Sequence, residues 1–234
     1  MIRDNLEIPT LDHHVHRDPR ILKVYSKARR MYSLEGRFHH NMDHVARDLR
    51  RSLLIADTEE HVDYSVLVPA VLLHDIGFCD PQFEELGHDV VGARTARSIL
   101  EECGYGKDAV SAICHCILSH KGRGESPRTL EAKILYDADV LEKAGYFALI
   151  LVGKLMCEFG ESLEDCLSRE RKDRDMELSR GFFTKKAREL DGNRLARTMD
   201  LYEQLRKEIE EERPDYLITE RDLWLKDPPY AIFS

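Results

Sequence analysis

The stretch that decides the fold is Val66-Leu67-Val68-Pro69-Ala70-Val71-Leu72-Leu73-His74-Asp75-Ile76-Gly77, an apolar run that ends on an imidazole and a carboxylate side by side. A run of this kind is buried, and desolvating an unpaired carboxylate there costs on the order of several kcal/mol unless a cation or strong donors compensate it. A divalent ion supplies that compensation. His74-Asp75 therefore reads as part of a metal site.

Working outward, both directions give further ligand candidates. Upstream, His40-Asn41-Met42-Asp43-His44 runs into Val45, Ala46, Leu49, Leu53 and Leu54. That spacing of three and four predicts a helix with His40 and His44 on one face. Downstream, Ile134-Leu135-Tyr136-Asp137-Ala138-Asp139-Val140-Leu141 sets two carboxylates inside another apolar segment, and one of them is expected to close the site.

The order His44, His74-Asp75, Asp139 resembles the HD-domain superfamily of metal-dependent phosphohydrolases over roughly residues 36–150. Arg37-Phe38-His39-His40-Asn41-Met42-Asp43-His44-Val45 is similar to the opening of the family's first core helix. Leu72-Leu73-His74-Asp75-Ile76-Gly77 is similar to its central signature, and Glu131-Ala132-Lys133-Ile134-Leu135-Tyr136-Asp137-Ala138-Asp139 to its last metal-binding segment. The resemblance implies His44, His74, Asp75 and Asp139 as ligands of a divalent ion. Their imidazole and carboxylate donors suit Mn, Fe, Co, Ni, Zn or Mg alike. Asp139 is placed ahead of Asp137 because the family's ligand usually precedes a hydrophobic pair, here Val140-Leu141. His88 and His120 fall where binuclear members hold a second ion, although Ser119 stands where that branch tends to pair its histidine.

The implied chemistry is hydrolysis at phosphorus, since a bound divalent ion lowers the pKa of a water from about 16 toward about 7 to 9. In that scheme Asp75 and Asp137 position or deprotonate the water. His40, His88 or His120 protonate the leaving oxygen or orient a phosphate. The loop Lys121-Gly122-Arg123-Gly124-Glu125-Ser126-Pro127-Arg128 follows His120, and Lys121, Arg123 and Arg128 are the expected phosphate clamp. Its glycines match neither a Walker loop nor a dinucleotide fingerprint.

Other histidines have plainer readings. His13, His14 and His16 are expected at the surface, as are His39 and His61, while His115, between Cys114 and Cys116, reads as a hydrogen-bonded core residue. The 234 residues, 42% of them hydrophobic, suffice for one sizeable helical core. A formal net charge of -9 argues against nonspecific polynucleotide or anionic-membrane binding but leaves room for a locally basic cleft. Six cysteines without zinc-module spacing read as reduced core thiols. No apolar run approaches the roughly 18 residues of a membrane span, and the first residues lack an apolar signal core, so a cytoplasmic location is expected.

Periodic segments are helical almost throughout, which predicts an all-α fold; the resemblance implies that it is an HD-type helical bundle, here with a C-terminal helical extension. Helices are expected near 20–33, 41–57, 62–75, 88–103, 107–120 and 129–158, the last broken around Gly145. Residues 1–35 are expected to pack on the core, 36–160 to form the HD domain, and 161–234 to extend it. The charged run Arg169-Glu170-Arg171-Lys172-Asp173-Arg174-Asp175 reads as a solvated helix or loop without chemistry. Leu195, Met199, Tyr202, Leu205 and Ile209 form an amphipathic stripe expected to pack on the core. The apolar end from Trp224 to Phe233 is expected to dock on this chain or a partner subunit. The function these expectations point to is hydrolysis of a small phosphorylated metabolite, foremost a nucleotide or related phosphoester, by a monomer or homodimer. The alternatives are a di-iron HD-type oxygenase and a catalytically silent nucleotide-binding sensor.

Overall fold

The computed structural model describes residues 11–211, and among them the regular structure is helical with no strand. Twelve α-helices follow in order: α1 (Leu11–Arg17), α2 (Arg20–Glu35), α3 (Met42–Ala56), α4 (Tyr64–Leu73), α5 (Phe83–Leu86), α6 (His88–Glu102), α7 (Lys107–Ser119), α8 (Leu130–Glu142), α9 (Phe147–Phe159), α10 (Leu163–Arg180), α11 (Lys185–Asp191) and α12 (Arg194–Glu211). A single 3-10 turn, Ile76–Cys79, follows α4.

Local chemistry sets the helix starts that matter for the site. The Asn41 side chain accepts the Asp43 and His44 backbone N–H groups at 3.0 and 3.3 Å, so α3 begins with His44 in its first turn. Asp63 caps α4 through the Ser65 N–H, and Thr129 caps α8 through that of Ala132. Every residue from Val66 to Leu73 is buried, so α4 runs through the middle of the protein. Helices α2, α3, α7 and α8 pack against it, α6 packs on α7 and on the 3-10 turn, and together they share one apolar core that includes Val24, Val45, Leu67, Leu72, Val91, Ile113 and Leu135.

The predicted break in the long C-terminal segment falls at Gly145, whose φ of +79° few side chains tolerate. Its N–H donates to Thr198 Oγ1 at 2.7 Å, and Arg194 Nη2 donates to the Ala144 carbonyl at 3.0 Å, so α12 clasps the α8–α9 turn. The stripe on α12 is covered within the chain. Tyr202, Leu205 and Ile209 pack with Leu151, Val152 and Leu155 of α9 and with Cys166 and Leu167 of α10, while Leu195 packs on Tyr136 and Val140.

Five sequence expectations are corrected here. The charged run is a helix solvated on one face only: Arg171, Lys172 and Asp175 are exposed, whereas Glu170 and Arg174, with Glu177 beyond the run, are buried because their three- and four-residue spacing puts them on the inward face of α10. His14 is buried against Tyr64, ring centroids 4.7 Å apart, because α1 folds back over α4. His39 is buried too, held between His40 and His44. Of the six cysteines, all unpaired, Cys157 is exposed and Cys79 half-buried, so four lie in the core. His115 does make hydrogen bonds, its Nδ1 lying 2.9 Å from Glu125 Oε1, but from a half-buried position beside the loop. No helix among the described residues is long and apolar enough to cross a membrane. The expectation for Trp224 to Phe233 lies outside the described residues.

Candidate metal centre

Helix α4 ends at Leu73, and the next two residues carry the site. His74 is still helical, whereas Asp75 leaves the helix at φ -103°, ψ 11° and opens the 3-10 turn. That turn lies directly on the start of α6. A Cβ built on Gly77 would overlap the His88 carbonyl oxygen and come within 2.7 Å of the Gly92 nitrogen, so only glycine permits the contact. His88 is thereby delivered from α6, His120 from the end of α7, His44 from α3 and Asp139 from α8.

The Asp75 carboxylate stands between two histidine pairs. Its Oδ2 is 3.0 Å from His44 Nε2 and 3.3 Å from His74 Nε2. Its Oδ1 is 3.3 Å from His88 Nε2 and 3.5 Å from His120 Nε2. Within each pair the nitrogens face one another, at 3.1 Å for His44 and His74 and 3.2 Å for His88 and His120. His74 and His120 each turn Nδ1 to a main-chain carbonyl, Val71 at 2.8 Å and Ile117 at 2.6 Å, which assigns their protons to Nδ1 and leaves Nε2 a lone pair. Lone pairs brought this close need a shared cation. The donor chemistry fits divalent metal on both sides of Asp75: His44, Asp48, His74 and Asp139 lie together on one, where Asp75 Oδ2 also approaches both imidazoles, and Asp75, His88 and His120 lie together on the other.

The electrostatics differ on the two sides of Asp75. Burial opposes charge on His44, but Asp48, Asp75 and Glu142 outweigh it and raise its pKa well above the ordinary value. For His74 burial is outweighed in the same way, chiefly by Asp75. Burial would lift Asp75, yet His74, His40, His120 and His44 hold it well below the usual carboxylate range. Burial likewise opposes ionisation of Asp139, and Lys143, 2.6 Å from its Oδ2, and the histidines bring it to about 2. His88 is pushed well below its ordinary pKa by burial and stays neutral, as a ligand must.

The centre floors a cleft of about 350 Å³. His40 lines it, its Nδ1 hydrogen-bonded to Glu158, which also accepts the N–H groups of His39 and His40 at 2.7 and 3.2 Å. Phe78 is stacked between His40 and His88, ring centroids 3.8 and 4.0 Å away, and holds both rings in place. Of the expected clamp, Lys121 and Arg123 line the cleft, the latter paired with Asp173. Arg128 does not: it is exposed and paired with Glu125 at 2.6 Å. Asp137 also faces away, its carboxylate accepting the N–H groups of Phe183 and Thr184 at 2.9 and 2.8 Å and the Thr184 hydroxyl at 2.7 Å. Successive odd positions on a helix point about 200° apart, so Asp139 and Asp137 cannot share a face.

Sequence reasoning missed Asp48, Glu142 and the inward face of α10. Glu142 Oε1 lies 3.2 Å from His44 Nδ1 and orients that ring, while Arg47 and Arg51 neutralise the carboxylate. Asp48, four residues after His44, is wholly buried beside the two imidazoles, and burial pushes its pKa up to about 7. Arg169, Glu170, Asp173, Arg174 and Glu177 of α10 line the cleft wall. The visible signal was the periodicity of Cys166, Leu167, Glu170, Arg174 and Glu177, which marks a buried face even with charges on it.

Comparison with known proteins places this site in a wider setting. A family model for the HD domain matches residues 41–144. The 3'-5' exoribonuclease YhaM of Listeria innocua is 28% identical over 143 residues, which cover 52% of this chain and 46% of that protein. The chain thus spans about half the length of the curated relatives it matches. Among solved structures, a protein of Lactobacillus plantarum superposes with a TM-score of 0.66 at 17% identity, over 83% of this chain and 99% of that one. A predicted HD superfamily hydrolase from an uncultured Thermotogales bacterium gives a TM-score of 0.54 at 23% identity, over 85% and 98% of the two chains. Both share the fold.

Proposed function

From the premise that residues 41–144 of this chain are an HD domain, we propose that it is a metal-dependent phosphohydrolase acting on a small phosphorylated compound, foremost a nucleotide or related phosphoester. The observation that carries this reading is the Asp75 carboxylate set between two facing pairs of imidazole nitrogens at the floor of a cleft whose walls carry both cations and carboxylates. His44, His74, Asp75 and Asp139 would hold one divalent ion, and His88 and His120 with the other oxygen of Asp75 would hold a second. A divalent ion bound there supplies Lewis-acid chemistry, lowering the pKa of a coordinated water from about 16 toward about 7.

The chain's own residues account for the remainder. Lys121, Arg123 and Arg169 present positive charge along the cleft and bind the phosphoryl oxygens, where charge builds up during in-line displacement. His40 is fixed by Glu158 on one nitrogen and by Phe78 against its face, leaving its second nitrogen to pass a proton to the leaving oxygen. Phe83 and Phe159, also in the cleft lining, offer apolar surface for the organic part of the substrate.

The relatives named exoribonuclease keep a second substrate in view, the 3' end of an RNA strand. The carboxylates Glu84, Glu161, Glu170 and Asp173 in the cleft wall and the net charge of -9 favour a small substrate over a polyanion. The test is phosphate or nucleotide release from mononucleotides, sugar phosphates and short RNA oligomers with Mn, Co, Ni and Mg, against the Asp75→Ala chain. Metal-dependent turnover of small compounds, lost on substitution, supports the reading. Turnover confined to RNA replaces the substrate class, and no turnover under any metal sinks the hydrolase assignment.

A further inference from the structure

Asp48 sits at a place where nothing in the hydrolase reading calls for a carboxylate. It is the fifth residue of an α3 turn that begins at His44, and its side chain is 0% exposed. One oxygen has a partner: Oδ1 accepts from Arg51 Nη1 at 3.2 Å. The other, Oδ2, has no hydrogen-bond partner and no access to solvent. It lies 3.4 Å from His44 Nε2 and 3.6 Å from His74 Nε2, on the side of both rings that their lone pairs occupy. His44, Asp48, His74 and Asp139 each contribute an atom to a group whose members lie within 4.8 Å of one another.

A buried carboxylate oxygen without a donor is expensive and calls for an occupant. The role of orienting His44 is already filled, since Glu142 stands at the Nδ1 side of that ring while Asp48 stands at the Nε2 side. Arg51 does not depend on Asp48 either, because it also contacts Glu142.

We infer that Asp48 is an additional carboxylate ligand of the ion held by His44, His74, Asp75 and Asp139, giving that position two imidazoles and three carboxylates. This inference rests on the hydrolase reading for the existence of the ion and goes beyond it in the donor set. Five donors with three hard oxygens suit a six-coordinate, oxygen-preferring ion such as Mn²⁺ and suit tetrahedral Zn²⁺ poorly. Asp48 is therefore a determinant of which metal the chain selects.

The test is calorimetric titration of the metal-free chain with MnCl₂ and with ZnCl₂, alongside thermal melts. Asp48→Asn keeps the shape and removes the charge, and is expected to weaken Mn²⁺ binding about tenfold or more and to shift preference toward Zn²⁺. The metal-free variant should melt no lower than the metal-free wild type, since it loses one of several crowded carboxylates. Arg51→Gln should bind Mn²⁺ within about threefold of wild type. Should Asp48→Asn fail to fold, Asp48→Ala is the second removal. Unchanged Mn²⁺ affinity in these variants, or an Arg51→Gln loss equal to that of Asp48→Asn, overturns the inference while leaving the hydrolase reading intact. Wild-type binding indifferent to His74→Ala removes the centre itself, and both readings with it.

Discussion

Asp137 caps the segment headed by Thr184, accepting that residue's N–H at 2.8 Å and its hydroxyl at 2.7 Å from the opposite side of the helix that presents Asp139 to the metal centre. Thr184 in turn caps α11, so the carboxylate ties α11 to α8. Asp137→Ala leaves the buried Thr184 N–H and the part-buried Phe183 N–H unmatched and is expected to lower stability by about 1–3 kcal/mol while metal content is unchanged. Chemical denaturation and elemental analysis of the same sample check both halves.

Because Asp75 faces both histidine pairs, its removal is expected to differ in kind from that of the flanking ligands. Asp75→Ala should bind neither ion. His120→Ala should keep the ion at His44 and His74 and lose the other. Metal stoichiometry after dialysis distinguishes the two, and equal loss in both variants would show that the positions fill only together.

Metal removal should register as lost stability, since buried carboxylates and imidazoles then face each other without a cation. A chelator is expected to lower the melting temperature, and Mn²⁺ restored at about 100 times its Kd should return about 2.7 kcal/mol. A melting curve insensitive to chelator would mean that the centre does not hold metal in the folded chain.

The three basic residues after His120 should separate in kinetics. Lys121→Ala and Arg123→Ala are expected to raise KM for a phosphorylated substrate about tenfold. Arg128→Ala should leave it unchanged, because that guanidinium is exposed on Glu125 outside the cleft. Steady-state assays on the three variants decide, and an Arg128 effect equal to that of Lys121 would require the loop to close over the substrate.

Arg174 is 2% exposed and reaches both oxygens of Glu177, at 2.8 and 2.5 Å, and Glu170 at 3.1 Å. Arg174→Ala strands Glu177 in the interior and is expected to cost about 3–5 kcal/mol. Thermal denaturation measures it, and a loss below about 1 kcal/mol would mean that water reaches the inner face of α10.

The bundle was legible because its helices bury apolar stripes that repeat every three to four residues, and because α4 is apolar on all sides. The residues that meet at the centre were legible for a related reason: His74-Asp75 closes an apolar run where ionisable groups are costly. Asp48 and Glu142 gave no such signal. Asp48 lies among Arg47, Arg50 and Arg51 and Glu142 beside Lys143, and in sequence a carboxylate beside basic residues reads as a surface ion pair, although here Arg47 and Arg51 turn inward to neutralise Glu142. The same ambiguity hid α10, where opposite charges pair within the interior and a charge count cannot tell pairing from solvation. Asp137 and Asp139 were indistinguishable by composition, and helical phase alone separates them.

Gly77 has a consequence beyond packing. With no side chain there, the turn after Asp75 rests on the main chain of His88, so the spacing between the two halves of the centre is set by backbone against backbone. A longer or shorter rotamer cannot alter that gauge, and one added methyl group would pry it open. Whatever bridges the two sides of Asp75 must match a span written into the absence of a single carbon atom.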